Sequence, residues 1–298
     1  MKTSSRQARA EALWGWLFLL PTLCGLMILN IIPIFQTILQ SFFKTGAFGK
    51  GNIFVGFANY VKMWEDPAVA QALVNTVKYA LVEVPLSIVI AVVIAVLLNR
   101  NIRGKTAYRT GYFLPMVAAP AAVAMVWRWL YNSEFGLLNH LLRLMGLPAA
   151  NWLSNPDTTF ISIAFVGVWS VIGYNMVLFL AGLQEIPKDY YEVAEIDGAS
   201  KVRQFFSITL PLLSPTMFFV AVTRIIAALQ VFDSIYVMLD RTSPSFYKTQ
   251  SLVYLFYRYS SVESDKGYGS AIILLLLVVI MLITIIQVRI QKRWVVYN

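Results

Sequence analysis

The chain has 298 residues, of which 58% are hydrophobic and 13% are charged, and its formal net charge is +9. A water-soluble domain would have too little polar surface to cover so apolar a core, so the composition excludes an ordinary soluble fold. It predicts an all-α, polytopic membrane protein, because about six spans of roughly 20–25 residues, with their loops, account for the length. The positive charge lies beside the apolar runs and therefore indicates membrane topology rather than nucleic-acid binding.

The apolar runs predict six transmembrane helices that follow a polar tail at residues 1–12. The predicted spans are residues 13–42, 72–99, 110–131, 158–183, 212–238 and 268–288. The first run is too long for a signal peptide and is expected to remain as a helix, with Pro21 and Pro33 as candidate kinks. Cys24 lies in this run and is expected to be a buried, unreactive thiol. A short amphipathic helix is predicted within residues 136–147.

Basic residues are concentrated in the segments that these six spans would place on one side of the membrane. They are Lys2, Arg6, Arg9, Arg100, Arg103, Lys105, Arg109, Lys188, Lys201, Arg203, Arg289, Lys292 and Arg293. The basic residues of the other loops are spread over longer stretches and are offset by acidic ones. Because cytoplasmic loops carry the excess of lysine and arginine, both chain termini and residues 184–211 are predicted to be cytoplasmic.

The sequence contains no recognisable catalytic or nucleotide-binding constellation. Gly104-Lys105-Thr106 resembles the end of a phosphate-binding loop, but Asn99 stands where that motif requires glycine. His140 is the only histidine, so neither a histidine-based metal site nor a Ser-His-Asp triad is supported, and a solvated or interfacial side chain is expected there. We therefore expect a non-catalytic chain with no metal and no cofactor of its own.

The polar segment, residues 184–211, is the longest charged stretch between two apolar runs. Pro187 and Asp189 indicate the start of a helix, since proline and acidic residues both suit a first turn. Gly198 is expected to interrupt that helix, because glycine readily adopts positive φ. A second short helix would follow, before Pro211 and Pro215 frame the next span. The residues alone leave open whether this segment is an ordinary connection or a docking surface.

The stretch EVAEIDGAS within the polar segment resembles the EAA loop of the membrane subunits of ATP-binding-cassette (ABC) importers. The matching positions are Glu192, Ala194, Asp197, Gly198, Ala199, Ile208, Leu210 and Pro211. Val193 departs from the usual alanine but is still small and apolar. Further similarities at residues 54–60, 75–76, 114–115, 127–139 and 169 extend the resemblance over nearly the whole chain and point to the carbohydrate-uptake branch of the family.

This resemblance implies the MetI-like fold of type I importer permeases, with an ABC transmembrane type-1 domain over residues 72–288, in a bacterial plasma membrane. It implies a heterodimer with a second permease, an extracellular solute-binding protein that delivers a sugar, and separate ATPase subunits that bind ATP and magnesium. No nucleic acid is expected among the partners. The coupling residues would be Glu192, Ala194, Asp197, Gly198, Ala199 and Pro211.

Polar residues inside the predicted spans are candidates for the substrate pathway, since such residues are costly in a membrane. They are Tyr174, Asn175, Gln230 and Asp233. By the resemblance, Tyr174 matches a sugar-contacting tyrosine of maltose-type subunits. The alternative for each of these four residues is a structural hydrogen bond between helices. Arg224 also lies in a predicted span, and it is expected to be a structural partner of an acid or a carbonyl.

The residues alone leave two other classes of function open. An ion-driven secondary transporter would need membrane-embedded acids as relays, for which Glu83 and Asp233 are the candidates, and internal repeats, which are not visible. A membrane enzyme would need a catalytic constellation. The transported sugar is not specified by these motifs, although the lack of a cationic cluster suited to phosphate favours a neutral one.

Overall fold

The computed structural model describes residues 5–46, 51–100 and 103–296, with the backbone alone for residues 5–10. The predicted tail lies partly outside these residues, Lys2 included. The α-helices are α1 (Ser5–Leu26), α2 (Ile32–Gln40), α3 (Ala58–Glu65), α4 (Pro67–Asn99), α5 (Lys105–Val117), α6 (Pro120–Leu130), α7 (Leu137–Leu144), α8 (Pro156–Gln184), α9 (Asp189–Ile196), α10 (Lys201–Gln204), α11 (Leu210–Leu212), α12 (Ser214–Leu229), α13 (Asp233–Met238), α14 (Pro244–Tyr247), α15 (Leu252–Tyr257) and α16 (Lys266–Trp294). Short π-helical stretches occupy Met27–Ile31, Phe205–Thr209 and Arg258–Val262, and two strands are β1 (Phe43–Thr45) and β2 (Asn52–Phe54).

Four helical runs of the described chain are long and apolar enough to cross a membrane. They are Glu11–Gln40, Pro67–Asn99, Pro156–Gln184 and Lys266–Trp294. Two bent helix pairs also qualify: α5 with α6, which meet at 99°, and Lys201–Leu212 with α12, which meet at 64°. The chain therefore has four to six candidate spans, depending on whether each bent pair is a single crossing.

The predicted span 110–131 is not one continuous helix. The backbone leaves the helical region at Ala118 and Ala119, where ψ is 145° and 132°. Ala119 precedes Pro120, and the proline ring disfavours helical geometry in the residue before it. This local clash explains why α5 and α6 are separate elements.

The predicted span 212–238 is also interrupted. Its first bend lies at Leu213, just before Pro215, which has no N–H to donate to the carbonyl of Pro211. The Ser214 hydroxyl donates to that carbonyl instead, over 2.6 Å. The second break follows Leu229, and the chain resumes helical geometry as α13 at Asp233.

The chain divides into two compact units, the first of which comprises Met1–Glu65 and Phe256–Leu274. Within it, β1 and β2 pair antiparallel. The side-chain amide of Asn59 donates to the carbonyls of Ser41 (2.8 Å) and Phe43 (2.9 Å), and Gly267 lies against the Phe43 carbonyl so closely that a Cβ would overlap it. These contacts tie the hairpin to the start of α16.

The first span does not bury its side chains inside the chain. None of its most apolar stretch is buried, and Cys24 is exposed. The expectation of a buried thiol was wrong, because an apolar surface of a membrane helix can face lipid or another subunit instead of its own core.

The second unit comprises Asp66–Leu255 and Leu275–Asn298. In this unit α4 packs on α8 and α12, α5 packs on α8, and α6 packs on α13. The buried core between α4, α8 and α12 includes Ala91, Ala95, Met176, Phe179, Leu180, Leu213 and Val220. Three glycines of α8 allow close approach: Gly167 to Tyr79, Gly173 to the backbone of Tyr112, and Gly182 to Thr216. Small residues at helix contacts are typical of membrane proteins, where tight van der Waals packing holds helices together.

Candidate functional site

The polar segment forms two short helices joined by a tight turn, as its sequence predicts. Helix α9 carries Asp189 and Glu192 in its first turn, where negative charge interacts favourably with the helix dipole. Helix α10 begins after Ser200, whose hydroxyl oxygen accepts a hydrogen bond from the Arg203 N–H at 3.3 Å. Each helix therefore has its own start signal in the sequence.

The turn between the two helices is a Schellman motif. The Ala199 N–H donates to the carbonyl of Ala194 at 2.8 Å, and the Gly198 N–H donates to the carbonyl of Glu195 at 3.0 Å. Gly198 occupies the left-handed position of this motif with φ of +76°, which glycine adopts without steric cost. A Cβ built on Gly198 would have no atom within 4 Å, so the requirement for glycine comes from the backbone angle and not from crowding within the chain.

Polar contacts fix the two helices relative to each other. Lys201 forms an ion pair with Glu195 across the turn. The side-chain amide of Gln204 donates to the Ala199 carbonyl at 3.2 Å. The Tyr191 hydroxyl lies 3.0 Å from the Thr209 hydroxyl, which ties α9 to the π-helical stretch that leads into the next span.

The polar segment presents large apolar side chains at its surface. Val193, Val202 and Phe206 are all exposed, and Ile196 retains 86% of its surface. Glu192 and Asp197 are also exposed, whereas Pro211 is half-buried. Several large apolar side chains exposed on one polar segment are typical of a contact site for another protein.

A cavity of about 360 Å³ lies in the second unit. Its lining comes from five regions of the chain: Tyr79; Pro115, Met116, Ala118, Pro120 and Val123; Gly167, Ser170 and Val171; Arg224, Ala227 and Ala228; and residues 230–234. Two of the predicted pathway residues, Gln230 and Asp233, meet here. Both lie at the break between α12 and α13, which turns their side chains toward the cavity.

The other two pathway candidates, Tyr174 and Asn175, occupy different faces of α8. Asn175 is fully buried, its side-chain nitrogen is 3.5 Å from the Ser87 hydroxyl of α4, and it does not line the cavity. Tyr174 is partly exposed and follows Val171 by three residues and Gly167 by seven. Tyr174 is itself not among the residues that line the cavity, but these spacings put it on the same helix face as the lining residues, one turn beyond them.

A buried ion pair borders the cavity. The Arg224 guanidinium of α12 donates from Nη2 to Oε1 of Glu83 of α4 at 2.6 Å, with the Glu83 side chain fully buried and the Arg224 side chain 16% exposed. Arg224 was expected to be the partner of an acid, and the structure confirms it.

The sequence did not point to Tyr79, Gly167 and Ser170 as cavity residues. The one available signal was helical spacing: Gly167 precedes Val171 by four residues, and Ser170 precedes Tyr174 by four, which indicates a shared helix face. Among the described residues, no three His, Cys, Asp or Glu side chains form a group that could hold a metal ion.

Comparisons with known proteins agree on one family. The family of binding-protein-dependent transport system inner membrane components matches residues 84–296. The trehalose/maltose transport system permease protein of Thermococcus litoralis is 33% identical over 289 residues, which are 97% of each chain. The sn-glycerol-3-phosphate transport system permease protein of Yersinia pestis is 31% identical over 95% of each chain. A chain in the crystal structure of a bacterial alginate ABC transporter in complex with an alginate pentasaccharide-bound periplasmic protein has the same fold, with a TM-score of 0.85, 21% identity and 96% of each chain covered.

Proposed function

The chain belongs to the family of inner membrane components of binding-protein-dependent transport systems, and we propose that it is one of two permeases that form the translocation pathway for a sugar in an ABC importer. An extracellular solute-binding protein delivers the sugar. The chain pairs with a second, different permease, and separate subunits bind ATP and magnesium and hydrolyse ATP. The permease itself carries out no chemical step.

The observation that carries this proposal is the geometry of the polar segment. A Schellman turn at Gly198 joins two short helices, and an ion pair and an amide hydrogen bond fix their arrangement. Apolar side chains on its surface, with Ile196 the most exposed, offer a contact area for the ATPase. We infer that Glu192 and Asp197 supply polar contacts there, while Ala194, Ala199 and Pro211 shape the segment.

A rigid docking element can transmit movement because it is joined directly to the spans. Helix α8 leads into the polar segment, and the segment continues through α11 into α12. Closure of the ATPase would therefore push on the ends of two helices that line the cavity.

The orientation follows from the distribution of charge. We propose six spans in the bacterial inner membrane, with both termini and the polar segment in the cytoplasm, because the basic residues are densest in those segments. The bent pair α5 and α6 and the bent pair around Leu213 each count as one span in this arrangement.

The proposed pathway runs through the cavity at the break between α12 and α13. Gln230 and Asp233 contribute an amide and a carboxylate for sugar hydroxyls, and Tyr174 extends the lining with an aromatic ring. Asn175 holds α8 against α4 instead of facing the cavity. An ion-driven mechanism has less support, since one of its two candidate relay acids, Glu83, is paired with Arg224.

The coupling role can be tested with a matched pair of glycine substitutions. Gly198 and Gly146 have almost the same positive φ, +76° and +74°, and neither would crowd a new Cβ. Gly198→Asp places a charged side chain on the docking surface, and Gly146→Asp imposes a similar backbone strain elsewhere. The assay is ATP-dependent uptake in cells or liposomes containing the complete transporter, with insertion measured by membrane fractionation.

We expect Gly198→Asp to insert normally and to abolish uptake, and Gly146→Asp to retain uptake. Co-purification of the ATPase should fall with Gly198→Asp and with Ile196→Glu. Normal uptake by Gly198→Asp would contradict the coupling role of this turn.

A further inference from the structure

We propose that Glu83, which lies behind the cavity wall, cancels the charge of Arg224, so that this chain's part of the pathway carries the single negative charge of Asp233 and favours neutral over anionic sugars. This inference rests on the proposed function. It goes beyond that function by identifying the residues that set the charge of this chain's cavity and by naming the class of sugar.

The first step is the state of the ion pair. Arginine stays protonated in proteins, and the distance of 2.6 Å between Arg224 Nη2 and Glu83 Oε1 is that of a strong charge-assisted hydrogen bond to a carboxylate. Arg224 lines the cavity, whereas the Glu83 side chain is fully buried behind it. The positive charge at the cavity wall is therefore neutralised from outside the cavity.

The second step is the charge that remains. Among the cavity-lining residues of the described chain, the charged side chains are Arg224 and Asp233. Asp233 is exposed and stands in the first turn of α13. With Arg224 offset by Glu83, the cavity has one uncompensated negative charge.

The third step concerns recognition. A carboxylate accepts hydrogen bonds and cannot donate them, so Asp233 suits the hydroxyl donors of a neutral sugar, and the Gln230 amide can both donate and accept. A phosphate, sulfonate or uronate group entering the same space would be repelled by Asp233, and the charge of Arg224 that could attract it is already offset by Glu83. Relatives of the chain are named for a neutral disaccharide system and for a phosphate ester system, and this charge arrangement fits the former.

Three substitutions, combined in four variants, change the charge in known steps. Asp233→Asn and Glu83→Gln each bring the cavity to zero net charge, and together they bring it to one positive charge. Glu83→Gln combined with Arg224→Gln removes the ion pair and restores one negative charge. This last variant lacks the ion pair but keeps the original cavity charge. Any change that it shows therefore comes from losing the pair and not from a change of charge.

The cavity charge can be measured by thiol labelling of the complete transporter in membranes. Cys24 is the single cysteine, so Cys24→Ser followed by Ser170→Cys places one thiol on the cavity wall, with Ser234→Cys as a second site. Rates are compared for methanethiosulfonate reagents of charge +1 and −1. One uncompensated charge about 6–8 Å away in a water-filled cavity shifts the two rates in opposite directions and changes their ratio on the order of fivefold to tenfold.

We expect the cationic reagent to react faster in the unsubstituted background and in the variant that lacks both members of the pair. The preference should disappear in each single variant and reverse when Asp233→Asn and Glu83→Gln are combined. Equal rates in the unsubstituted background, or a ratio that Glu83→Gln leaves unchanged, would overturn the proposal.

Uptake provides an independent readout of substrate class. Cells with the complete transporter are offered neutral disaccharides and their phosphorylated or uronic acid counterparts. We expect uptake of a neutral sugar, and preferential uptake of an anionic one would overturn the inference while supporting the proposed function. Uptake of no sugar would count against the proposed function, and the labelling ratio would still decide the charge of the cavity.

Discussion

Gly173 offers the sharpest test of how the second unit is packed. A Cβ added there would lie 2.5 Å from the Tyr112 carbonyl carbon and 2.8 Å from Phe113 Cα. Both are backbone atoms of α5 and cannot move aside as a flexible side chain could. The Tyr112 carbonyl oxygen is closer still, so reaching an ordinary contact of 3.4 Å requires α5 and α8 to separate by more than about 1 Å.

The expected cost of Gly173→Ala follows from this separation. Overpacking of a well-packed contact costs about 1–3 kcal/mol, and a rigid backbone neighbour places this site at the upper end. The higher helix propensity of alanine offsets up to about 1 kcal/mol of this cost. We therefore expect a net loss of about 2 kcal/mol in the free energy of unfolding.

Gly111→Ala is the matched control. Gly111 lies on α5, one of the same two helices, and a Cβ there would have no atom within 4 Å. The Gly111→Ala substitution should therefore raise the free energy of unfolding slightly, through helix propensity alone. Thermal unfolding of the purified protein in detergent, followed by tryptophan fluorescence, should separate the two variants by on the order of 5–10 °C. If Gly173→Ala is as stable as Gly111→Ala, α5 and α8 do not pack as described.

Two further predictions concern other contacts. Asn139 is fully buried and bonds to Ser133, Ala150 and Trp152, so Asn139→Ala should cost about 2–4 kcal/mol because several buried groups lose partners. It should also open residues 145–155 to limited proteolysis, and unchanged cleavage would contradict this anchoring role. In the first unit, Gly267→Ala should displace the hairpin, since the new Cβ would overlap the Phe43 carbonyl. Faster proteolysis within residues 45–52 than in the uncrowded Gly25→Ala control is the expected result.

Local signals in the sequence were sufficient to predict the polar segment. The acidic first turn of α9 and the glycine at its end act over a few residues of the segment. The serine that caps α10 is an equally local signal, which the prediction did not use. The break before Pro120 rests on an equally local signal. The prediction of one continuous span there gave more weight to the length of the apolar run than to the proline.

Contacts between distant residues could not be predicted in the same way. Glu83 and Arg224 are far apart in the chain, and the sequence indicated only that Arg224 needed an acid or a carbonyl, while Glu83 was a candidate relay acid. Tyr174 and Asn175 are neighbours in the sequence, and both were pathway candidates. One residue along a helix turns the side chain by about 100°, and the rotation of α8 against α4 decided which of them became buried.

The three glycines of α8 also limit how the second unit can change shape. Their close contacts with Tyr79 of α4, the backbone of α5 and Thr216 of α12 interlock surfaces that cannot slide past each other without first separating. We therefore expect these four helices to move as one rigid body. The hinges would then lie where the helices are broken, at Ala118–Ala119, at Leu213 and between Leu229 and Asp233, so that opening one side of the pathway closes the other by rotation of a fixed block.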